Sequence, residues 1–274
     1  RVLKHIIQGL ATNDGDGVRI RRIAGSQFNA LLDPFLMLDE INSDDASDYI
    51  GGFPEHPHRG METITYMKAG RMRHRDHMGN EGVIGPGDVQ WMTAGKGVLH
   101  SEMPEQECGL LHGFQLWLNL PSAEKLKPAA YRDIRVKDIP VKDLTNGGKV
   151  SVIAGEVKIN NESILKGVLP ELSSRPVMMD VSLKEHQNLN LSFNSDYPAL
   201  VYVINGELGG EDAIEKGSMG IFSEGESLIL SAGEKGASLL ILSGRPLKEP
   251  IAQYGPFVMN TRAEIDQAIN DFRC

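Results

Sequence analysis

Two segments of the chain carry metal-ligand side chains two positions apart. They are Glu55-His56-Pro57-His58-Arg59-Gly60-Met61-Glu62 and Gly97-Val98-Leu99-His100-Ser101-Glu102. In a β-strand, residues i and i+2 point to the same face, roughly 7 Å apart. His56 and His58 therefore face one side of one strand, and His100 and Glu102 one side of another. If the two strands face each other, the four side chains converge on a point. Three imidazoles and one carboxylate form a mixed N/O donor set. Such a set suits a borderline first-row metal such as iron, nickel or zinc better than calcium or magnesium. Burying these groups together without a metal would be costly, since each polar group needs a partner. Four protein ligands would close a tetrahedral zinc, whereas in octahedral iron they leave two positions for water, oxygen or substrate. The open site is the favoured reading, because closed structural zinc sites lean on cysteine. The carboxylate has a second candidate: by strand parity Glu62 also faces inward with His56 and His58.

These residues must be positioned by strands. From Phe53 to Met67 the pattern has period two, with His56, His58, Gly60, Glu62, Ile64 and Tyr66 on one face. Gly70 ends that strand, Val83 to Asp88 turns, and Val89 to Met92 resumes. Ala94-Gly95-Lys96-Gly97 turns again before the second ligand pair, and Leu110 to Leu118 is a further apolar strand. Upstream, Asn13-Asp14-Gly15-Asp16-Gly17 is a hairpin signal. Pro121 to Pro140, with Thr145-Asn146-Gly147-Gly148, reads as the connection between two halves, with one helical turn at Ser122 to Lys125.

The second half has the same texture. Strands are expected at 150–153, 177–183, 189–193, 199–204, 219–222, 227–230 and 238–242, with turns at Asn205-Gly206 and Ala232-Gly233. Thr261 followed three residues later by Glu264 is a capping-box pattern, and Ile265, Ala268, Ile269 and Phe272 recur at helical spacing. Two all-β halves of similar size suggest a duplication.

Other polar residues carry weaker signals. His74 and His77, beside Asp76, either line the mouth of the barrel or are solvated. Gln115 sits in an apolar strand, where an amide needs a partner, which suits a role behind a ligand. His112, Trp91 and Phe53 read as structural, and His5 and His186 carry no signal. Cys108 follows Glu105-Gln106-Glu107, an acidic context that does not activate a thiolate.

Composition narrows the function classes. The net charge of −9 argues against direct nucleic-acid binding, and the arginines between Arg71 and Arg75 are offset by Asp76 and Glu81. With only Cys108 and Cys274, there is no disulfide framework, and a reducing cytoplasm is the expected compartment. No apolar run reaches the roughly 18 residues of a membrane helix. Arg1-Val2-Leu3-Lys4 has neither a signal-peptide apolar region nor an initiating Met, so the given chain is expected to be trimmed.

His-x-His followed by three residues and Glu, then a second segment ending in His100, resembles the two motifs of the cupin barrel, a small double-sheet jelly roll. One branch is matched more fully. Phe53-Pro54-x-His56-Pro57-His58-Arg59-Gly60-x-Glu62-Thr63 resembles the pirin family, as do Val83 to Gly95 with His100-Ser101-Glu102, and Gln253 to Thr261. The resemblance spans nearly the whole chain and implies an all-β bicupin: two jelly-roll barrels packed face to face, with a short C-terminal helix. The expected domains are residues 1–135, a metal-binding barrel, and residues 136–274, a degenerate barrel with a closing C-terminal segment, Tyr254 to Thr261, that crosses back to the first. The resemblance implies one divalent transition metal per chain, iron first, with zinc, nickel, manganese, cobalt or copper as alternatives. Its ligands would be His56, His58, His100 and Glu102, which leaves Glu62 behind the ligands. The implied activity is that of a quercetin 2,3-dioxygenase, opening a flavonol with molecular oxygen, with Glu102 as both ligand and general base. The alternative is a non-enzymatic iron- or redox-sensing regulator that binds a protein partner, a transcription factor or a metabolic enzyme. A cytoplasmic monomer that binds no nucleic acid or membrane is expected in either case.

Overall fold

The structure, a computed structural model, describes residues 1–210 and 213–273. Cys274 lies outside the described residues. The chain divides into two compact units, residues 10–136 with 247–274, and residues 1–9 with 137–246. Both are cupin barrels. Their limits differ from the contiguous division at residue 135, because each unit takes a segment from the far terminus. The closing segment of the chain belongs to the first unit: Phe257 forms a parallel bridge with Arg59, and Val258 N–H donates to the Arg59 carbonyl.

In the first unit, among the described residues, a seven-stranded antiparallel sheet has the order Ala130–Ile134, Val89–Thr93, Met61–Ala69, Leu111–Asn119, Phe35–Ser43, Val18–Ala24, Leu10–Asp14. A four-stranded sheet has the order Phe53–His58, Val98–Pro104, Met72–Asp76, Glu81–Ile84. The hairpin expected at residues 13–17 forms, with Asp14 paired to Val18 and positive φ at Gly15 and Gly17. The stretch read as a connection holds a strand, Ala130–Ile134, paired to Val89–Thr93. Its signal is faint because only Ile134 in it is buried. Val18, Ile20, Ile41, Met67 and Leu111 form one apolar cluster of this barrel.

The run from Phe53 to Met67 is two strands, not one. Phe53–His58 belongs to the small sheet and Met61–Ala69 to the large one. Between them Gly60 takes a φ of +81°, a conformation that favours glycine. This corner resets the alternation, so residues before and after it do not share a face by parity.

The second unit holds an eleven-stranded antiparallel arrangement among the described residues, around a core that includes Val150, Val181, Leu191, Val203 and Ile241. Ala232-Gly233 does not turn the chain. Ser227–Ser243 runs through it as one strand, pairing first with Asn188–Ser192 and then with Val177–Leu183. Asn205-Gly206 likewise lies inside Ala199–Leu208, where the register shifts and Gly206 has a φ of +72°. A glycine in a strand pattern marks a bulge as readily as a hairpin.

The C-terminal helix spans Arg262–Arg273 and forms the expected capping box. Thr261 N–H and Oγ1–H donate to Glu264 Oε2 at 2.8 and 2.9 Å, and Ile265 and Ala268 are buried.

Candidate metal centre

Strand pairing brings the two histidine segments together. Phe53–His58 and Val98–Pro104 are antiparallel neighbours, with His100 directly opposite His56. The ligand nitrogens of His56, His58 and His100 lie within 4.8 Å of one another, a group that could hold a metal ion. The Nε2 atoms of His56 and His58 are 3.1 Å apart. Neighbouring ligands on one metal, each about 2.1 Å from it, would have about this spacing. The Nδ1–H of His56 donates to the Pro54 carbonyl at 2.8 Å, which leaves its Nε2 lone pair free for a metal. His100 Nε2 is buried, with no hydrogen-bond partner among the described residues. An orphaned buried nitrogen of this kind is what a metal would satisfy.

Electrostatics favour the neutral, ligating form. Burial, with His56 adding to it, pushes the His58 pKa down to about 3. Burial and then the neighbouring His58, His56 and His74 push His100 well below its ordinary value. The edge of Trp117 packs against His58, ring centroids 5.1 Å apart, and fixes the imidazole from the large sheet.

Glu102 stands apart from the three-nitrogen group but lines the same cavity as His56 and His58. Its carboxylate, 5% exposed, is held from the large sheet: Thr65 Oγ1–H donates to Oε1 at 2.9 Å and Gln115 Nε2–H to Oε2 at 3.3 Å. The strand of His100 and Glu102 stays in register with Met72–Asp76, so the two residues keep one face of it, and the irregularity opposite them lies in Phe53–His58. Gln115 thus has the partner its position demanded.

Glu62 does not face the cavity. Thr93 Oγ1–H donates to its Oε1 at 2.6 Å, and Lys127 Nζ lies 3.4 Å away. The residues of its strand that line the cavity are Thr65 and Met67, of opposite parity. The expectation that Glu62 shares a face with His58 fails because of the corner at Gly60.

The cavity, about 760 Å³, carries apolar side chains such as Met37, Met67 and Phe114 beside the polar ones. Its wall also holds a half-buried ion pair missed in the sequence: Arg22 Nη2 lies 2.6 Å from Oδ2 of the buried Asp39. Burial raises the Asp39 pKa to about 6 despite Arg22. His74 is neither at a mouth nor solvated. It is 1% exposed and packs against His100, whereas His77 is exposed. The signal available was the two-residue spacing of His74 and Asp76, the same as in the ligand pairs. His112 pairs with Glu40 at 2.8 Å, a structural contact as expected. Cys108 is free and exposed.

Comparison with known proteins agrees with this architecture. The pirin family model matches residues 17–118, and the model of the pirin C-terminal cupin domain matches residues 178–274. The chain belongs to the pirin family. A Pseudomonas aeruginosa relative, provisionally named a quercetin 2,3-dioxygenase, is 46% identical over 270 residues, covering 97% of this chain and 94% of its own. Human pirin is 38% identical over 270 residues, covering 95% and 88%. A crystal structure titled quercetin 2,3-dioxygenase from Acinetobacter baumannii is 36% identical, with a TM-score of 0.88 over 99% of this chain and 96% of that one. An Escherichia coli pirin solved with nickel(II), at 18% identity and a TM-score of 0.62, shares the fold over 88% of this chain and 98% of its own. In this pirin no helix among the described residues is long and apolar enough to cross a membrane.

Proposed function

We propose that the chain is a metal-dependent dioxygenase that opens a flavonol such as quercetin with molecular oxygen. The observation that carries this reading is the convergence of three imidazoles, His56, His58 and His100, the first two on the wall of a cavity that Glu102 also lines. Iron, the metal that the family resemblance puts first, would be held by His56, His58, His100 and Glu102. When bound, it would supply a Lewis-acidic centre with open positions for an enolate oxygen and dioxygen.

The remaining work falls to the chain's own residues. Three neutral imidazoles and one carboxylate give a divalent ion a net charge of about one, which attracts an anionic enolate. Glu102 accepts the proton from the 3-hydroxyl of the substrate, and Thr65 and Gln115 keep its carboxylate in place while it does so. Met37, Met67 and Phe114 cover a flat aromatic body and exclude water. The names carried by the relatives support the same substrate class. In this proposal the unit of residues 1–9 and 137–246 contributes no ligand. The site takes a small aromatic enol, and the protein works as a monomer in the cytoplasm, the compartment that its two cysteines suit.

The test is oxygen uptake by metal-loaded protein with quercetin, together with its absorption spectrum. Uptake that depends on both metal and flavonol supports the enzyme. A loaded protein that neither shifts the flavonol spectrum nor consumes oxygen rejects it. In that event affinity for a protein partner that changes with metal oxidation state would point to the regulator, for which the net charge of −9 suits a basic partner.

A further inference from the structure

A second pair of chemistry-bearing residues lies behind the metal centre. Met72–Asp76 pairs with Val98–Pro104 so that His100 stands opposite Asp76, and Glu102 opposite His74. His74 Nδ1 lies 3.3 Å from His100 Nδ1, and His74 Nε2 faces Asp76 Oδ2 at 3.5 Å. The side chains of His74 and Asp76 are 1% and 0% exposed. The His74 ring is stacked on Tyr131, centroids 4.6 Å apart and planes at 23°, so its orientation is fixed by packing.

We propose that Asp76, His74 and His100 form a carboxylate–imidazole–imidazole chain that sets the tautomer of His100 and aims its Nε2 lone pair into the metal centre. The proposal rests on the metal-site reading above and deepens it. His74 and Asp76 are positioning residues, since neither offers an atom to the metal.

The proton positions follow from what each atom can do. A carboxylate only accepts. Asp76 is held in place by the backbone N–H groups of Met78 and Asn80 on Oδ1, at 3.0 and 2.9 Å, and by Asn80 Nδ2–H on Oδ2 at 2.7 Å. His74 Nε2, buried and without a full hydrogen bond among the described residues, faces Asp76 Oδ2 at 3.5 Å, and a proton on that nitrogen avoids setting its lone pair against the carboxylate. In neutral His74 the Nδ1 is then an acceptor. Among the described residues the group against that acceptor is His100 Nδ1, which must therefore carry a proton. Neutral His100, with its proton on Nδ1, has its lone pair on Nε2, the buried nitrogen that lacks a partner among the described residues. The opposite arrangement, with the proton on His100 Nε2, would bury an unpaired N–H in the centre and set two Nδ1 lone pairs against each other. Partners behind the ligands, arranged in this way, fix ring orientation and raise ligand basicity.

The test has two readouts. Long-range ¹H–¹⁵N spectra of the metal-free protein report the tautomer of each imidazole and need no metal. The expected result is Nδ1–H at His100 and Nε2–H at His74; an Nε2–H tautomer at His100 overturns the proposal. The second readout is cobalt(II) affinity, followed by its d–d absorption, in the wild type, His74→Phe and His74→Gln. His74→Phe keeps a ring against Tyr131 but removes the acceptor and should weaken binding by about 10- to 100-fold. His74→Gln, whose side-chain oxygen accepts the Nδ1–H, should recover most of that loss. Equal affinities in all three overturn the chain while leaving the site itself intact. A wild type that binds no cobalt or iron defeats the metal-site reading, and the tautomer spectra then still decide the chain.

Discussion

A Cβ on Gly60 would sit 2.0 Å from the carbonyl oxygen of Val258. The corner that joins the two sheets of the metal barrel is therefore packed directly against the C-terminal segment. The positive φ of Gly60 adds a second constraint. Gly60→Ala should destabilise the fold by about 3 kcal/mol, from left-handed strain and from displacing Val258. Chemical unfolding measures the loss, and a change below 0.5 kcal/mol, on the order of an ordinary surface substitution, would contradict the close fit.

Lys125 fastens the same junction. Its Nζ donates to the carbonyls of Gly60 and Val258, each at 2.8 Å, and to Asn119 Oδ1 at 2.5 Å. Lys125→Met leaves those buried oxygens without a donor and should cost about 3 kcal/mol near neutral pH. Burial lowers the Lys125 pKa from 10.5 to about 7. Between those values the unfolded chain binds the proton that the folded chain has released. This group therefore adds stability as pH rises through that window, and its contribution is flat below about 7. The difference in unfolding free energy between wild type and Lys125→Met should climb with pH by up to about 1.4 kcal/mol per unit there. A flat difference from pH 7 to 10 would show an unshifted amine.

The carboxylates at 62 and 102 make separable predictions. Glu102→Ala should lose most bound metal on dialysis, whereas Glu62→Ala should keep it, since Glu62 is bound to Thr93 beyond the cavity wall. Metal content by elemental analysis decides between them. Equal retention in the two variants would remove Glu102 from the ligand set.

Much of this site was legible in the sequence because strand alternation is a local rule. The pairs His56/His58 and His100/Glu102 declare a shared direction at a spacing of two; His56, His58 and Glu102 line the cavity, and His100 joins the two histidines from opposite His56. The helix was equally legible, since the Thr261–Glu264 capping box is written in four residues. Glu62 shows where the rule stops. Alternation was carried across Gly60, where the chain changes sheets, and the predicted face inverted. The environment of His74 was hidden for a different reason. Its burial comes from Tyr131, on a strand far along the chain whose own pattern is weak. Gly206 and Gly233 misled in the second unit because a bulge and a hairpin need the same residue.

Gln115 should separate holding the metal from using it. Its amide donates to Glu102 without being one of the nitrogen ligands. Gln115→Leu should retain the metal but lower kcat for flavonol by about 10-fold, since a misplaced general base loses part of its 10²–10⁴-fold contribution. Steady-state kinetics on variants of matched metal content test this, and an unchanged kcat would show that Gln115 does not position the carboxylate.

The most direct test of the account is stoichiometric oxygen uptake by iron-loaded protein supplied with quercetin, compared with Glu102→Ala and with metal-free protein. The account predicts one oxygen consumed per flavonol opened, with loss of the flavonol absorption band, and neither change in the two controls. Iron-loaded protein that carries one metal per chain yet leaves both oxygen and flavonol unchanged would contradict it.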